Sequence, residues 1–341
     1  MSVVEIPRSK NFVKVSIIDT GARIKGPMSM LIDPPILEHN TNFSGPALSF
    51  LIEHERLGRR LVYDLGTRKD VSGYAPLVLK YREAFSFHPT KDVHEYLQDG
   101  GADLSSIEAV IWSHHHIDHV GDPSVFPATT DLIVGPGFKE TELPGYPENE
   151  DAKILVSDYT GRHLRQLDFD AESLGLVIGG FGAIDYFGDG SFYLLATPGV
   201  EPPRFTFMGG DVGHHASQWR PNQFVPLPKE VLPSPFGIEH IFNIRRNVCP
   251  CAHFLEHVGH GAEVEPFCGI RDGHPYQVDM AREALKCIEA FDADENIMVI
   301  MAHDWTLLGV MEFWPKPANG WHEKEWKQKG RWEFLKDLGK D

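Results

Sequence analysis

Residues His114 to His119 read His-His-His-Ile-Asp-His and follow directly on the apolar run Ile107 to Trp112. A fold for this chain must lay down a buried strand and end it on a cluster of imidazoles and a carboxylate. In extended backbone, side chains two apart point to the same side. His114 and His116 are therefore placed to grip one ion as a pair. Asp118 and His119 follow where the strand gives way to a turn, and aim at a second ion a few ångströms away. Neutral imidazole and carboxylate suit Zn²⁺, with Fe and Mn as alternatives. A solvated, His-rich loop would need neither the preceding strand nor an Asp at this spacing.

Two further places repeat the pattern of an apolar strand followed by a metal-type residue. Arg204 to Met208 leads through Gly209-Gly210 to Asp211, and Ile297 to Met301 leads to His303. Strand ends that meet at one sheet edge would bring these residues to the His114–His119 run. Asp64 closes another strand, Arg60 to Tyr63, and reads either as a turn cap or as a group that orients a ligand histidine by hydrogen bond.

Further strands are expected at Phe12 to Asp19, Ala47 to Glu53 and Asp131 to Val134. Phe181 to Phe187 and Ser191 to Ala196 flank Asp189-Gly190, a hairpin signal. Gly21 to Asn42, rich in Gly, Pro and Met, reads as a long loop. Asp92 to Gln98 reads as a short helix. Val278, Ala281, Leu285, Ile288 and Phe291 recur at helical spacing, so Gln277 to Ala290 reads as an amphipathic helix. Strands in blocks with helices interleaved imply an α/β arrangement of sheets flanked by helices.

The 341 residues carry a formal charge of −17, which argues against nucleic acid, whose recognition requires basic surface. No run of ~18 apolar residues is present, so no membrane span is expected. Met1 to Lys10 lacks the apolar core of a signal peptide. Four cysteines make no disulfide framework, and a reducing, cytoplasmic setting fits best. The expected partner is a small-molecule substrate; a homodimer stays open.

Taken in order, Asp64-Leu65-Gly66, the His114–His119 motif, Thr197-Pro198-Gly199, Gly209-Gly210-Asp211 and Ala302-His303-Asp304 resemble the motifs of the metallo-β-lactamase superfamily. The resemblance runs from about residue 12 to residue 310 and is closest to its lactonase and lactamase-like hydrolases of fungal and bacterial type. It implies an αβ/βα sandwich of two mixed β-sheets flanked by helices, a single domain over residues 1–341, with 214–275 as a lid or insertion. It implies two zinc ions. His114 and His116 would hold the first, Asp118, His119 and His303 the second, and Asp211 would bridge. Asp64 and His214 would support these ligands from behind. The implied reaction is ring opening of a lactone or lactam by hydroxide formed on the zinc pair, with Asp118 as catalytic ligand or base. A thioesterase or glyoxalase-II-like hydrolase and a mononuclear iron dioxygenase are the enzymatic alternatives, and a metal-poor, inactive binding relative the non-enzymatic one.

The chain departs from the family at one position. The family motif continues Thr-Pro-Gly-His, and that His binds the first metal; here Val200 follows Gly199. Only Val200 to Pro203 separates Gly199 from the next strand. Four residues span at most ~14 Å, against the roughly 20 Å of an outgoing strand. About ten residues or more are therefore absent relative to the family. Either the sequence as written skips them, or a true deletion damages the first site. His214 or His215 could then substitute, although a place in the pocket lining is the plainer reading.

For substrate walls, Met28, Met30 and Leu31 of the early loop are candidates. Trp219, Phe224, Phe236 and Phe242 of the Pro-rich stretch after Asp211 are candidates for a lid over a small hydrophobic ligand. Cys249, Cys251, His253, His257, His260 and Cys268 form a second cluster of metal-type residues. Their spacing matches no common zinc motif, so an insertion near the pocket is the better reading.

Overall fold

The computed structural model describes residues 4–34, 42–81, 85–173, 175–196, 205–236, 247–271 and 278–338. Its strands run in chain order β1 (Lys14–Asp19), β2 (Ile24–Pro27), β3 (Asn42–Gly45), β4 (Leu48–His54), β5 (Arg59–Tyr63), β6 (Ile107–Ile111), β7 (Asp131–Val134) and β8 (Leu164–Gln166). They continue with β9 (Val177–Ile178), β10 (Phe181–Asp185), β11 (Tyr193–Leu195), β12 (Phe205–Met208), β13 (Glu230–Val231), β14 (Cys249–Pro250) and β15 (Ile297–Ile300).

A six-stranded mixed sheet has the order β1-β4-β5-β6-β7-β8. The first three strands pair antiparallel, and β5 to β8 pair parallel. Alternation along each strand divides its two faces. Ile18, Leu51, Val62, Val110 and Leu132 pack outward with Val93 and Leu97 of the helix Val93–Asp99. Ile17 and Phe50 face inward to Met298 and Ile300 of β15, while Ile52, Leu61, Ala109 and Ile133 face Ile184 and Leu194 of β10 and β11. All of β4 is buried because it sits between both layers.

The second layer lies in two pieces among the described residues: the antiparallel set β11-β10-β9 and the parallel pair β12-β15. Phe207 and Val299 on its outer side pack on Leu285, Ile288 and Phe291 of the helix Val278–Ala293. The sequence of layers is therefore helix, sheet, sheet, helix. That helix extends to Ala293, past the expected Ala290, because Phe291 and Asp292 are both buried. The Thr197–Gly199 motif, Val200 and the linker that follows lie outside the described residues.

One expectation needs correction. Gly21 to Asn42 is not all loop: β2 pairs with β3 in a ribbon, Lys25 opposite Ser44, and residues 28–30 form a short 3-10 helix. Ile24 and Gly26 alternate inward with Lys25 outward, a period of two that Gly and Pro hide. In the described part of 214–275, Val231, Phe236, Cys249, Phe254 and Leu255 belong to the same outer core as Leu285, Ile288 and Phe291 of the helix Val278–Ala293. No described helix is long and apolar enough to cross a membrane.

Candidate metal centre

The parallel pairings explain why the site forms where it does. Tyr63 pairs with Ile111 and Met208 with Ile300, so four strands from two layers end at the same edge. Asp64, Ser113, Asp211 and His303 are the residues just beyond those ends. The loops after β5 and β6 are joined through the backbone. Asp64 N donates to Ile111 O at 2.9 Å, Leu65 N to His119 O at 2.8 Å and Gly121 N to Gly66 O at 2.9 Å. His116 starts the one-turn helix Ile117–Val120, which turns Asp118 and His119 away from the path of the strand.

The approach of Asp211 requires glycine. A Cβ on Gly209 would lie 2.2 Å from Met301 Sδ, and one on Gly210, at φ +49°, would lie 3.3 Å from Ser113 Cβ. With both positions bare, Ala302 N reaches Gly210 O at 3.0 Å, and the Asp211 carboxylate enters the cluster.

Two sets of donor atoms result. Those of Asp118, His119, Asp211 and His303 all lie within 4.8 Å of one another, as do those of His114, His116 and Asp211. Asp211 belongs to both. Its Oδ1 lies 3.1 Å from His119 Nε2 and 3.0 Å from His303 Nε2. Asp118 Oδ2 is 3.2 Å from His303 Nε2. His114 Nε2 is 3.7 Å from Asp211 Oδ2.

Supporting hydrogen bonds settle which ring nitrogens face the cluster. Asp64 is buried and accepts from Ser113 N at 2.7 Å and Ser113 Oγ at 2.8 Å. Its other contact is His119 Nδ1 at 2.8 Å. A carboxylate only accepts, so Nδ1 carries the proton and Nε2 turns to the centre. His303 Nδ1 donates to Pro46 O at 2.7 Å, with the same consequence. Ser113 was not singled out in the sequence, yet its hydroxyl also touches His114 Nδ1 at 3.1 Å.

The electrostatics separate the two sets. Burial and the neighbouring His119 push His114 well below the usual imidazole range, and burial lowers His116. Both are neutral at pH 7, the form that binds a metal. Burial also works against charge on His119 and His303, but the carboxylates prevail: Asp211, Asp64 and Asp118 raise His119, and Asp211 and Asp118 raise His303 to about 10. Burial would raise Asp118 and Asp211 in turn, and the adjacent imidazoles hold both below the usual carboxylate range.

The residues fit a pair of divalent cations. Three buried atoms at the centre, His114 Nε2, His119 Nε2 and Asp211 Oδ1, have no directed hydrogen bond. All three are metal-donor atoms, and they belong to the two sets that close on Asp211. Nitrogen and oxygen donors of this type suit Zn, Fe or Mn. Among the described residues no other set of three such donors comes together. Cys249, Cys251 and Cys268 are free, buried thiols, and His253 and His257 lie on one short helix with ring centroids 6.3 Å apart.

The centre opens into a cavity of about 1900 Å³. Met30 and Leu31 line it, together with Phe43, Val78, Phe85 and Phe87. The other expected wall residues do not. Met28 and Trp219 are buried in the core, where their apolar bulk is covered by neighbouring elements. Phe236 stacks on Phe254 at 5.5 Å, and Phe224 is an exposed surface residue away from the cavity. Phe242 lies outside the described residues. Of the described residues in 214–275, only His214, Ile270 and Arg271 reach the cavity.

Similarities to known proteins agree with this geometry. The family model of the metallo-beta-lactamase superfamily matches residues 44–215, a span that holds Asp64, the His114–His119 run and Asp211 but ends before His303. The gamma-lactamase FDB1 of Fusarium pseudograminearum (strain CS3096) is 38% identical over 358 residues, covering 98% of this chain and 84% of that protein. The metallo-hydrolase mfmC of Annulohypoxylon moriforme is 37% identical over 356 residues, covering 98% of this chain and 89% of its own length. Both alignments are longer than the 341 residues of this chain, so both place gaps opposite it. Among solved structures, a quorum-quenching N-acyl homoserine lactone hydrolase superposes with a TM-score of 0.52 at 14% identity, covering 91% of this chain and 100% of that one. At that identity the likeness speaks for the fold alone.

Proposed function

Because this chain belongs to the metallo-beta-lactamase superfamily, we propose that it is a hydrolase that holds two divalent cations, zinc by preference, and opens a lactam or lactone ring of a small, largely apolar molecule. The observation that carries this reading is Asp211, shared between two sets of metal-type donor atoms that close on one space. The name of the gamma-lactamase FDB1 supports the lactam.

When bound, such a cation pair supplies an acidified water and an electrophile for the substrate carbonyl. The chain's own residues do the rest. His114, His116 and Asp211 would hold one cation, and Asp118, His119, His303 and Asp211 the other. Ser113 and Asp64 fix the imidazoles from behind. Asp118 is held ionised and faces the cavity, so its free oxygen can orient the water and take its proton. The water oxygen adds to the carbonyl carbon, the ring C–N or C–O bond breaks, and the proton passes to the leaving nitrogen or oxygen. One molecule of amino acid or hydroxy acid results.

The walls suit an apolar ring system. Ile24, Met30, Leu31, Phe43 and Phe85 line the same cavity as His114, His116 and Asp118. Residues of β11 and β12 also line the cavity, and its volume exceeds the ~300–1,000 Å³ of an ordinary ligand site, so a small ring would fill only part of it.

The test is a hydrolysis screen of zinc-loaded protein over γ-lactams, γ-lactones and thioesters, with His116→Ala and Asp118→Ala beside it. Ring opening is expected with a cyclic amide or ester, and a loss of roughly 10²–10⁴-fold in Asp118→Ala. Full turnover in either variant, with unchanged circular dichroism, refutes the site.

A further inference from the structure

The two oxygens of Asp211 face two different pairs of imidazoles. Oδ1 has His119 Nε2 at 3.1 Å and His303 Nε2 at 3.0 Å. Oδ2 has His114 Nε2 at 3.7 Å and His214 Nε2 at 3.4 Å. The set around Oδ1 is complete with Asp118, whereas the set around Oδ2 counts only His114, His116 and Asp211. The geometry points to His214 as a further ligand of the first metal, in the place relative to Oδ2 that His303 has relative to Oδ1.

Three observations select it. Its ring lines the cavity and lies nearly parallel to that of His303, at 13° and 5.8 Å. Its backbone is anchored, since His214 N donates to Gln218 Oε1 at 2.7 Å, and Gln218 Nε2 reaches Gly269 O at 3.3 Å. The neighbouring His215 is excluded: it is buried, with Nδ1 at 2.6 Å from Ser217 Oγ and Nε2 at 3.1 Å from Asp337 Oδ2. The segment Thr197 to Arg204 offers no imidazole, and Glu201 is its one metal-type side chain. His214 stands outside the set of atoms within 4.8 Å of one another, so ligation requires its side chain to swing inward beside Oδ2.

The inference rests on the two-metal reading above, and metal binding tests it without any assay of hydrolysis. Wild type, His214→Ala, His214→Cys, Glu201→Ala and His303→Ala are stripped of metal and titrated with Co²⁺ and with Zn²⁺ against a chelator. Wild type should take two equivalents. His214→Ala should bind one of them roughly 100-fold or more weakly, at or beyond the limit for a group that only supports a ligand. His303→Ala should weaken the other. His214→Cys should recover both equivalents and add a thiolate-to-cobalt charge-transfer band, which a merely supporting residue does not produce. Two equivalents bound at wild-type affinity in His214→Ala overturn the inference. So does a His214→Cys protein that binds both ions without that band, a first site lost in Glu201→Ala instead, or a wild type with one equivalent that His214→Ala leaves unchanged. Two equivalents dependent on His214, with no ring opened in the screen, overturn the proposed reaction and leave His214 as a ligand.

Discussion

Replacing Asp64 separates the structural and the metal-directed parts of the centre. The carboxylate serves Ser113 N, Ser113 Oγ and His119 Nδ1 at once, from a backbone at φ +56°. In Asp64→Ala, Ser113 N and the buried His119 Nδ1 lose their acceptor, at about 1–3 kcal/mol each. Ala in the left-handed region adds ~1–2 kcal/mol. The total is roughly 3–6 kcal/mol, counting half-buried Ser113 at the low end, from the ~5–15 kcal/mol a domain commonly has. Asp64→Asn behaves differently, because Asn tolerates that backbone conformation. Its single carbonyl cannot serve both Ser113 N and His119 Nδ1. With the amide nitrogen toward His119, Nδ1 must accept, and the proton moves to Nε2, the atom that faces the candidate metal centre. Asp64→Asn should therefore cost only about 1–3 kcal/mol of metal-free stability but weaken zinc binding ~10–100-fold. Urea unfolding of metal-free protein and zinc competition titrations measure the two effects. An Asp64→Asn protein that binds zinc like wild type, beside an Asp64→Ala protein with the wild-type urea midpoint, would refute the reasoning.

Other outcomes follow from the same structure. Asp292 is buried, which pushes its carboxyl up, but the Arg220 guanidinium at 2.6 and 2.5 Å and Lys327 hold it at about 2. That lies below the unfolded value of ~3.9, so its contribution is present above pH 4 and lost as pH falls toward 2. In urea titrations the gap between wild type and Asp292→Asn, about 3–5 kcal/mol at pH 7, should shrink between pH 4 and pH 2; a constant gap counts against the pairing. Gly121→Ala places a Cβ 2.3 Å from Leu65 Cβ and 2.5 Å from Leu65 O at φ +44°. It should cost roughly 2–5 kcal/mol in a thermal melt, and a wild-type melt contradicts it. Met30→Ala should raise KM in the ring-opening assay with kcat nearly kept. Trp219→Ala should instead cost ~3–5 kcal/mol of stability at unchanged KM, and the reverse pattern would return Trp219 to the substrate wall.

Much of the layered fold is visible in the chain because strand burial leaves a direct trace. β4 to β7 and β15 are short apolar runs, and each leads to a polar signal where it ends. β2 and β3 leave almost none, since Gly26 and Pro27 interrupt the alternation that pairs them. The site residues were recognisable for a related reason. His114, His116, Asp118 and His119 are local in sequence, and Asp211 and His303 each follow a strand. The pocket walls were not recognisable, because an aromatic side chain looks alike whether it fills a core or faces a cavity. Trp219 and Phe236 fill the core, and Phe43 and Phe85 face the cavity.

By itself the sequence determined the donor types and their order, since a compact His-x-His-x-Asp-His run at a strand end already dictates both the atoms and their spacing. It could not determine which histidine serves which neighbour, because that depends on atoms brought together across the two layers. Only the tertiary structure decided that Asp64 and Ser113 orient the imidazoles, and that Asp211 divides its oxygens between two sets. It alone distinguished His214, facing the cavity, from His215, tied to Ser217 and Asp337. Adjacent residues carry the same chemistry in the chain, and the packing around each one decides where that chemistry points.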